Sequence, residues 1–476
     1  MSQMSCVMST YPDTDKIYNS QEHHTEAADM ASKIRRLVLA VAAILAVVAH
    51  AARVAIFLEE HETATSNSFG VYFGHLHERG HEVSLFHQSS PSFALFSYGV
   101  LQYDHVVILA PSLTTLGATP LDKKSLLSFV EQGGNVIVAG SLRLSTMLRE
   151  FAAALGVAYD KKGTVVMDHV HHVGDKSDVY HSHLTTQRWI QSPLVVGRPA
   201  KPIFFNGIGM ALDATNVLGV KVLSAEPTAY SASPTKHPLE PTSATFGTNV
   251  ALVTAIQARN NARVIFTGSV DLFKDTYCST SSSYGNGAFV EAVTKWAFGE
   301  RGVLRVSNVH HSKEDGSLPD TMLGPIDRPD QPITLYPDAE VARNSLVYRI
   351  KDNVTYSFDV HERQEDGTWT PFAADDMQLE FVMLDPYVRK TLAHNGDGHF
   401  SATFTAPDVY GIFQFRVMYR RVGYSVLHWT TQVSVRPFKH DEYERFLPAA
   451  YPYYASAFSM MAGVWLFTIL FLLGHD

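Results

Sequence analysis

Cysteine is nearly absent from this 476-residue chain: only Cys6 and Cys278 occur. The first lies ahead of a segment expected to be removed, so an intrachain disulfide framework and a cysteine-rich zinc site are both excluded. Excess positive charge is also missing. With 38 Lys+Arg against 47 Asp+Glu the formal net charge is -9, which leaves no electrostatic footprint for DNA or RNA. Long apolar runs are few and the mean hydropathy is -0.03, so a polytopic membrane protein is excluded. Glycine-rich phosphate loops and Gly-x-Ser-x-Gly elbows are lacking too.

What is present is an ordinary globular composition, 46% hydrophobic and 18% charged, at a length that calls for two or three domains. Two apolar segments stand out. Lys33, Arg35 and Arg36 precede an apolar run over residues 37–48, followed by Ala49-His50-Ala51-Ala52. A basic flank, a short apolar core and small residues at its end predict a secretory signal, cleaved after Ala51 or Ala52. Residues 1–52 are therefore read as an extension plus signal peptide, with Met30 an alternative start. The second segment, residues 455–473, carries no charge and has Tyr451, Tyr453 and Tyr454 at its head. It predicts a single membrane-spanning helix with an aromatic belt, leaving residues 474–476 as a cytosolic tail and the bulk of the chain lumenal, a type I arrangement. Ala455, Ser459 and Gly463 at i, i+4 and i+8, with Ala462 beside them, form a small-residue face suited to close packing against another helix.

Between these segments, residues 53–302 alternate strand and helix patterns. Strands are expected at 54–58, 82–86, 103–109, 136–139, 250–257 and 263–267, and helices at 67–79, 122–131, 145–155 and 288–298. This alternation predicts an α/β lumenal domain, a mainly parallel sheet with flanking helices. A loop rich in Pro, Gly and Asp over residues 316–337 leads into short alternating runs at 354–360, 378–384, 400–404, 413–419 and 430–435. These predict a β-sandwich domain within residues 303–453.

Candidate chemistry is sparse. The first strand-to-helix loop, Glu59-Glu60-His61-Glu62-Thr63-Ala64-Thr65, has no glycine and repels phosphate; a divalent cation could fit the acidic cluster, but a solvated loop is the favoured reading. Gly207-Ile208-Gly209 lacks the third glycine of a dinucleotide fingerprint. Cys278 lies in a polar run rather than on a sharp turn. Were residues 168–172 a strand, His169 and His171 would share a face, a zinc pair without a third ligand. Asp375-Asp376 reads as a loop pair, and Asn353-Val354-Thr355 is a glycosylation sequon. No catalytic residue, metal or cofactor is assigned. Arg259, Asn260, Asn261 and Arg263 offer donors that could meet a partner. The same residues also suit a structural turn, since Asn tolerates left-handed backbone and flanking arginines pair locally.

Several stretches carry a resemblance. They are Gln257-Ala258-Arg259-Asn260-Asn261-Ala262-Arg263 continuing to Ser269, Gly302-Val303-Leu304-Arg305-Val306, and Asp408-Val409-Tyr410-Gly411-Ile412-Phe413-Gln414-Phe415. Further on come Gln432-Val433-Ser434-Val435-Arg436-Pro437, Tyr443-Glu444-Arg445-Phe446 and residues 451–461. Together they resemble the DDOST-type 48 kDa subunits of oligosaccharyltransferase. The resemblance covers residues 53–473. It implies a non-catalytic accessory subunit of the endoplasmic reticulum complex that moves a preassembled oligosaccharide from dolichyl diphosphate to Asn in Asn-x-Ser/Thr. Implied partners are a polytopic catalytic subunit, ribophorin-like subunits and a DAD-type small subunit, and in that setting the Arg259, Asn260, Asn261 and Arg263 donors could meet a glycan or a pyrophosphate. The N-terminal extension, the short tail without lysine and the histidine-rich stretch near His169–His183 depart from the family pattern. A lumenal hydrolase or transferase acting through its own α/β domain is the alternative.

Overall fold

The computed structural model describes residues 52–59, 68–87, 93–114, 121–174, 178–234, 241–321, 346–443 and 448–474. The expected signal segment, most of the first strand-to-helix loop and most of the 316–337 loop lie outside the described residues.

Among these residues, a nine-stranded sheet organises the first unit. Its strands are β1 (Arg53–Leu58), β2 (Glu82–His87), β3 (His105–Ile108), β4 (Asn135–Ala139), β5 (Val157–Tyr159), β6 (Met210–Leu212), β7 (Gly219–Ser224), β8 (Ala251–Gln257) and β9 (Arg263–Thr267). The order is β2-β1-β3-β4-β9-β8-β6-β5, with β7 also on β8. β2, β1, β3, β4 and β9 run parallel, whereas β9–β8, β8–β6, β6–β5 and β8–β7 are antiparallel. The sheet is thus mixed, an α/β core extended by an antiparallel wing.

Side-chain alternation explains why both faces are covered. Val54, Ile56 and Leu58 join one buried cluster while Ala55 and Phe57 join the other. Helices α1 (Gly70–Glu78) and α4 (Asn286–Ala297) pack on the first face, α2 (Lys123–Glu131) and α3 (Thr146–Ala154) on the second. The starts of α2 and α3 follow from capping: Asp122 accepts from the Ser125 N–H at 2.7 Å and Ser145 from the Leu148 N–H at 3.4 Å.

The second unit is a sandwich of two sheets. Its strands are β10 (Val303–Lys313), β11 (Leu346–Arg349), β12 (Asn353–Arg363), β13 (Gln378–Val382), β14 (Pro386–Thr391), β15 (His399–Thr405), β16 (Gly411–Tyr419) and β17 (Leu427–Arg436). One sheet contains β10-β12-β15 and the other β11-β17-β16-β13-β14. Aromatic residues fill the space between: Tyr356 stacks on Phe415 at 4.7 Å and Phe381 on Phe413 at 4.5 Å. Beyond the sandwich, α5 (Tyr451–Leu473) is long and apolar enough to cross a membrane, and none of its residues is buried. Its 23 residues span about 34 Å at 1.5 Å each.

Candidate functional site

The four donors singled out in the sequence lie at the join between the two units. β8 and β9 form a hairpin whose turn contains Asn261 at φ +67°, a conformation Asn tolerates better than most residues. This places the Asn261 amide against the loop joining β16 to β17. Its Oδ1 accepts from the Val426 N–H at 2.7 Å and its Nδ2 donates to the Val426 C=O at 3.1 Å, imitating a strand-to-strand pair. Gln257 Nε2 donates to both Asn261 Oδ1 at 3.1 Å and the Tyr424 C=O at 3.0 Å.

Arg263, two residues on, points into the protein and is 2% exposed. Nη1 donates to the carbonyls of Trp296 at 2.5 Å and Arg301 at 2.8 Å, and Nη2 to that of Gly302 at 2.9 Å. The guanidinium lies 4.6 Å from the Trp296 ring centroid. Trp296 lies in the last turn of α4, where the helix dipole is negative; its carbonyl already accepts from the Gly299 N–H at 3.0 Å and takes the guanidinium as a second donor, so a cation suits this position. Among the described residues no carboxylate partners it, and burial pulls its pKa down to about 10, still cationic at neutral pH. The indole Nε1–H of Trp296 then donates to the Gly423 C=O at 2.8 Å.

Two glycines let the backbones meet. Gly302 has φ +63°, and a Cβ there would collide with the Gly423 carbonyl oxygen; Gly423 itself has φ +96°. The Ser425 N–H donates to Gly302 C=O at 2.7 Å, and Ser425 Oγ accepts from the Leu304 N–H at 2.8 Å. At the rim, Lys295 bridges Glu291 at 2.7 Å and Glu365 at 3.0 Å, while Arg301 also pairs with Glu365.

The remaining donors divide. Asn260 Nδ2 caps α2 through the carbonyls of Val130 at 2.8 Å and Glu131 at 2.9 Å. Arg259 is exposed and, among the described residues, makes no hydrogen bond. Gln257, Trp296, Gly423 and Ser425 complete the join without having been singled out in the sequence. The only signal for loop 420–426 was its glycine between two apolar strands, because its partners lie more than a hundred residues away.

The other candidates are dispersed. Residues 168–172 are not a strand. His169 faces Tyr230 Oη at 2.9 Å and the His181 ring, whereas His171 turns to Asp168 at 3.1 Å and Thr228 at 3.1 Å. Burial opposes ionisation of Asp168, but the Thr228 hydroxyl and the Val170 and His171 N–H groups outweigh it and hold its pKa down. Among the described residues no group of three His, Cys, Asp or Glu side chains is arranged to hold a metal. Cys278 is buried, donates to the Leu272 carbonyl at 3.0 Å, and burial with nearby Asp275 pushes its thiol up to about 12, opposite to nucleophile activation. Gly207 and Gly268 are packed backbone to backbone, leaving no phosphate cradle between them. Glu59 accepts from Ser112 at 3.1 Å, Asp375 meets His394 at 2.8 Å, and Asp376 accepts from Arg421 Nε at 2.6 Å. Asn353 opens β12 on the surface, donating to Glu314 at 2.7 Å and accepting from Thr405 at 2.7 Å. Ala455, Ser459, Ala462 and Gly463 on α5 are all exposed.

Two family models match the chain: the OST48 N-terminal domain over residues 45–300 and the OST48 middle domain over residues 336–475. Three curated proteins, each called "Dolichyl-diphosphooligosaccharide--protein glycosyltransferase 48 kDa subunit", are similar throughout. The Drosophila melanogaster protein is 39% identical over 91% of this chain and 94% of its own length. That of Danio rerio is 38% identical over 85% and 88%, and that of Caenorhabditis elegans 38% over 87% and 90%.

Proposed function

This chain belongs to the OST48 family, and from that premise we propose that it is the accessory 48 kDa subunit of a dolichyl-diphosphooligosaccharide–protein glycosyltransferase. The complex transfers a preassembled oligosaccharide to Asn of Asn-x-Ser/Thr in the endoplasmic reticulum. In this reading the chain supplies no reacting group. It lies lumenal and single-pass, and meets a polytopic catalytic subunit, ribophorin-like subunits and a DAD-type subunit.

The observation that carries the scaffolding role is the join itself. The donors that were candidates for gripping a glycan or pyrophosphate, Asn261 and Arg263, are committed inside the chain. They lock the α/β unit onto one end of the sandwich, while the chain leaves for α5 from the other end. β16 runs nine residues between those ends, about 30 Å at 3.4 Å per residue. The sandwich is thus a spacer that holds the α/β unit at a set height over the membrane. Arg259, exposed beside the join, is the donor still open to a partner. Along α5, the Ala455/Ser459/Ala462/Gly463 face lets a neighbouring transmembrane helix approach closely.

The test is purification of the tagged full chain in mild detergent, with identification of what accompanies it and assay of peptide glycosylation. The reading requires a polytopic transferase and activity in the complex, and no transfer by the chain alone. A chain that purifies alone, or acts alone, overturns it.

A further inference from the structure

The end of the sandwich remote from the join bears apolar side chains in solvent. Leu384, in the turn between β13 and β14, is 90% exposed; Tyr410, entering β16, is 69% exposed, Ile412 57% and Tyr387 44%. Strand register puts them together: Val382 pairs with Pro386 and with Gln414, and Gly411 pairs with Val435. A Cβ on Gly411 would stand 2.8 Å from Met383 Sδ, so the two loops touch. The same strands end at Tyr419 and Leu427 on the other side, next to loop 420–426 of the join.

The chain departs toward α5 from this apolar end. Past Arg436, Phe438 lies under Arg349 at 5.2 Å and against the Tyr443 ring at 5.4 Å, and Glu442 accepts from Arg436 at 2.6 Å. The chain is thus pinned to the tip as far as Tyr443. From Tyr443 to Pro448, where the helical segment leading into α5 begins, there are 448 − 443 = 5 peptide steps, a reach of at most about 18 Å.

We infer that this tip rests in the interfacial layer of the bilayer that α5 crosses, with Leu384, Tyr387, Tyr410 and Ile412 set among the lipid headgroups. The inference rests on α5 spanning the membrane. Short tethering brings the tip to the level of Tyr451 and Tyr453, exposed at the head of α5 where aromatic belts lie. Tyrosine with aliphatic neighbours is the composition that the interface favours, an apolar body with a polar tip. Most charges around the tip are paired, Lys351 with Asp408 at 3.1 Å, Arg349 with Asp352 at 3.0 Å and Arg436 with Glu442, and the exposed Asp385 and Lys439, which have no ion pair among the described residues, are of opposite sign, so no cationic surplus faces the lipid. Contact therefore depends on apolar insertion rather than on anionic lipid. With the helix as one attachment and the tip as a second, the sandwich cannot pivot freely, which fixes the tilt of the α/β unit as well as its height.

Single-cysteine reporters in the full chain, purified with its complex and placed in phosphatidylcholine nanodiscs, test this. Leu384→Cys, Val464→Cys in α5 and Tyr98→Cys on the exposed 96–101 hairpin of the α/β unit each carry an environment-sensitive fluorophore; Cys6 is replaced by Ser throughout, and the Cys6→Ser parent with its buried Cys278 is the blank. Lipid bearing a nitroxide near its headgroup is then added for the Leu384→Cys and Tyr98→Cys labels, and lipid bearing it deep in the acyl chain for the Val464→Cys label, which lies near the middle of α5. Quenching of the Leu384→Cys label at least about twofold above that of Tyr98→Cys, unchanged when phosphatidylserine is included, is the expected result. If the Val464→Cys label is quenched and the Leu384→Cys label is not, the tip does not touch lipid and the proposal is wrong while the membrane span stands. A Leu384→Cys label that is blue-shifted without quenching means that protein covers the tip, which also overturns it. Absence of quenching at Val464→Cys removes the membrane span on which the proposal depends.

Discussion

The Asn261 side chain pairs with both backbone polar groups of Val426, a residue 165 positions away, and so joins the hairpin turn of one unit to a loop of the other. A surface turn usually leaves such an amide to water. Here it completes the sandwich loop, in company with Gln257 and the Trp296 indole.

Asn261→Gly keeps the left-handed turn accessible and removes both bonds to Val426. At about 1 kcal/mol net for each hydrogen bond, and more where buried backbone groups are left unpaired, the join weakens by roughly 2–3 kcal/mol. Limited proteolysis should then cut between the units, near residues 299–303, while each unit survives. Unchanged cleavage kinetics would show that the amide is not holding the join.

Arg263→Met removes three donated hydrogen bonds, leaving the Trp296 and Gly302 carbonyls only their Gly299 and Ser425 N–H donors, and takes the cation from the end of α4. Loss of about 3–5 kcal/mol is expected, the range for breaking buried charged networks. Arg263→Lys restores the charge but not the planar fork, so it should recover only part of that stability. Thermal unfolding of the purified complex and steady-state abundance of the chain measure both; equal behaviour of the Lys variant and the parent would mean that charge alone matters.

Two glycines at similar positive φ should respond differently to alanine. At Gly316 (φ +80°) nothing lies within 4 Å of an added Cβ, so only the backbone conformation is penalised, about 1 kcal/mol. At Gly302 the methyl also strikes the Gly423 carbonyl, and the join must open. Proteolytic separation of the units by Gly302→Ala but not by Gly316→Ala is the expected pattern.

Two histidines give the chain an acid limit. Burial, with the neighbouring His81 charge, lowers His105 to about 3; burial, with His310, lowers His311 to about 4. His105 stacks on Phe298 at 4.0 Å and His311 accompanies the Tyr348 hydroxyl at 2.8 Å. Unfolded imidazoles protonate near pH 6.5, so between about pH 6.5 and 4 the unfolded chain binds more protons and stability falls as pH falls. The full slope is about 1.4 kcal/mol per pH unit for each group, and above about pH 7 neither contributes a slope. Melting temperatures across pH 7 to 5 should drop in the parent and flatten in a His105→Asn/His311→Gln variant.

Much of the fold could be read before any coordinates. β1, β4 and β9 are continuous apolar runs, as strands covered on both faces must be, and Asp122 and Ser145 announce their helices through local capping. The sandwich strands alternate clearly, as in the buried Phe413, Phe415 and Val417 of β16. The stretch from residue 157 to 246 was less legible, because its strands run three to six residues and pair with distant partners. The antiparallel wing has the same cause: direction of pairing is a property of the partner strand, not of the run itself. At the join, the Arg-Asn-Asn-Ala-Arg turn was visible as a donor cluster, but its acceptors are backbone carbonyls from positions 296–302 and 423–426, and carbonyls carry no sequence signature.

Specific activity per assembled complex is the most direct test of the central claim that this chain holds a glycosyltransferase together without reacting. Complexes containing the parent, Asn261→Gly or Arg263→Met chain are purified, quantified by subunit content and assayed for transfer to an Asn-x-Thr peptide. The scaffold account predicts that recovery of complex falls with the weakened join, while transfer per recovered complex stays within about twofold of the parent. Intact complexes whose transfer falls by more than about a hundredfold, the scale of losing a catalytic group, would contradict it.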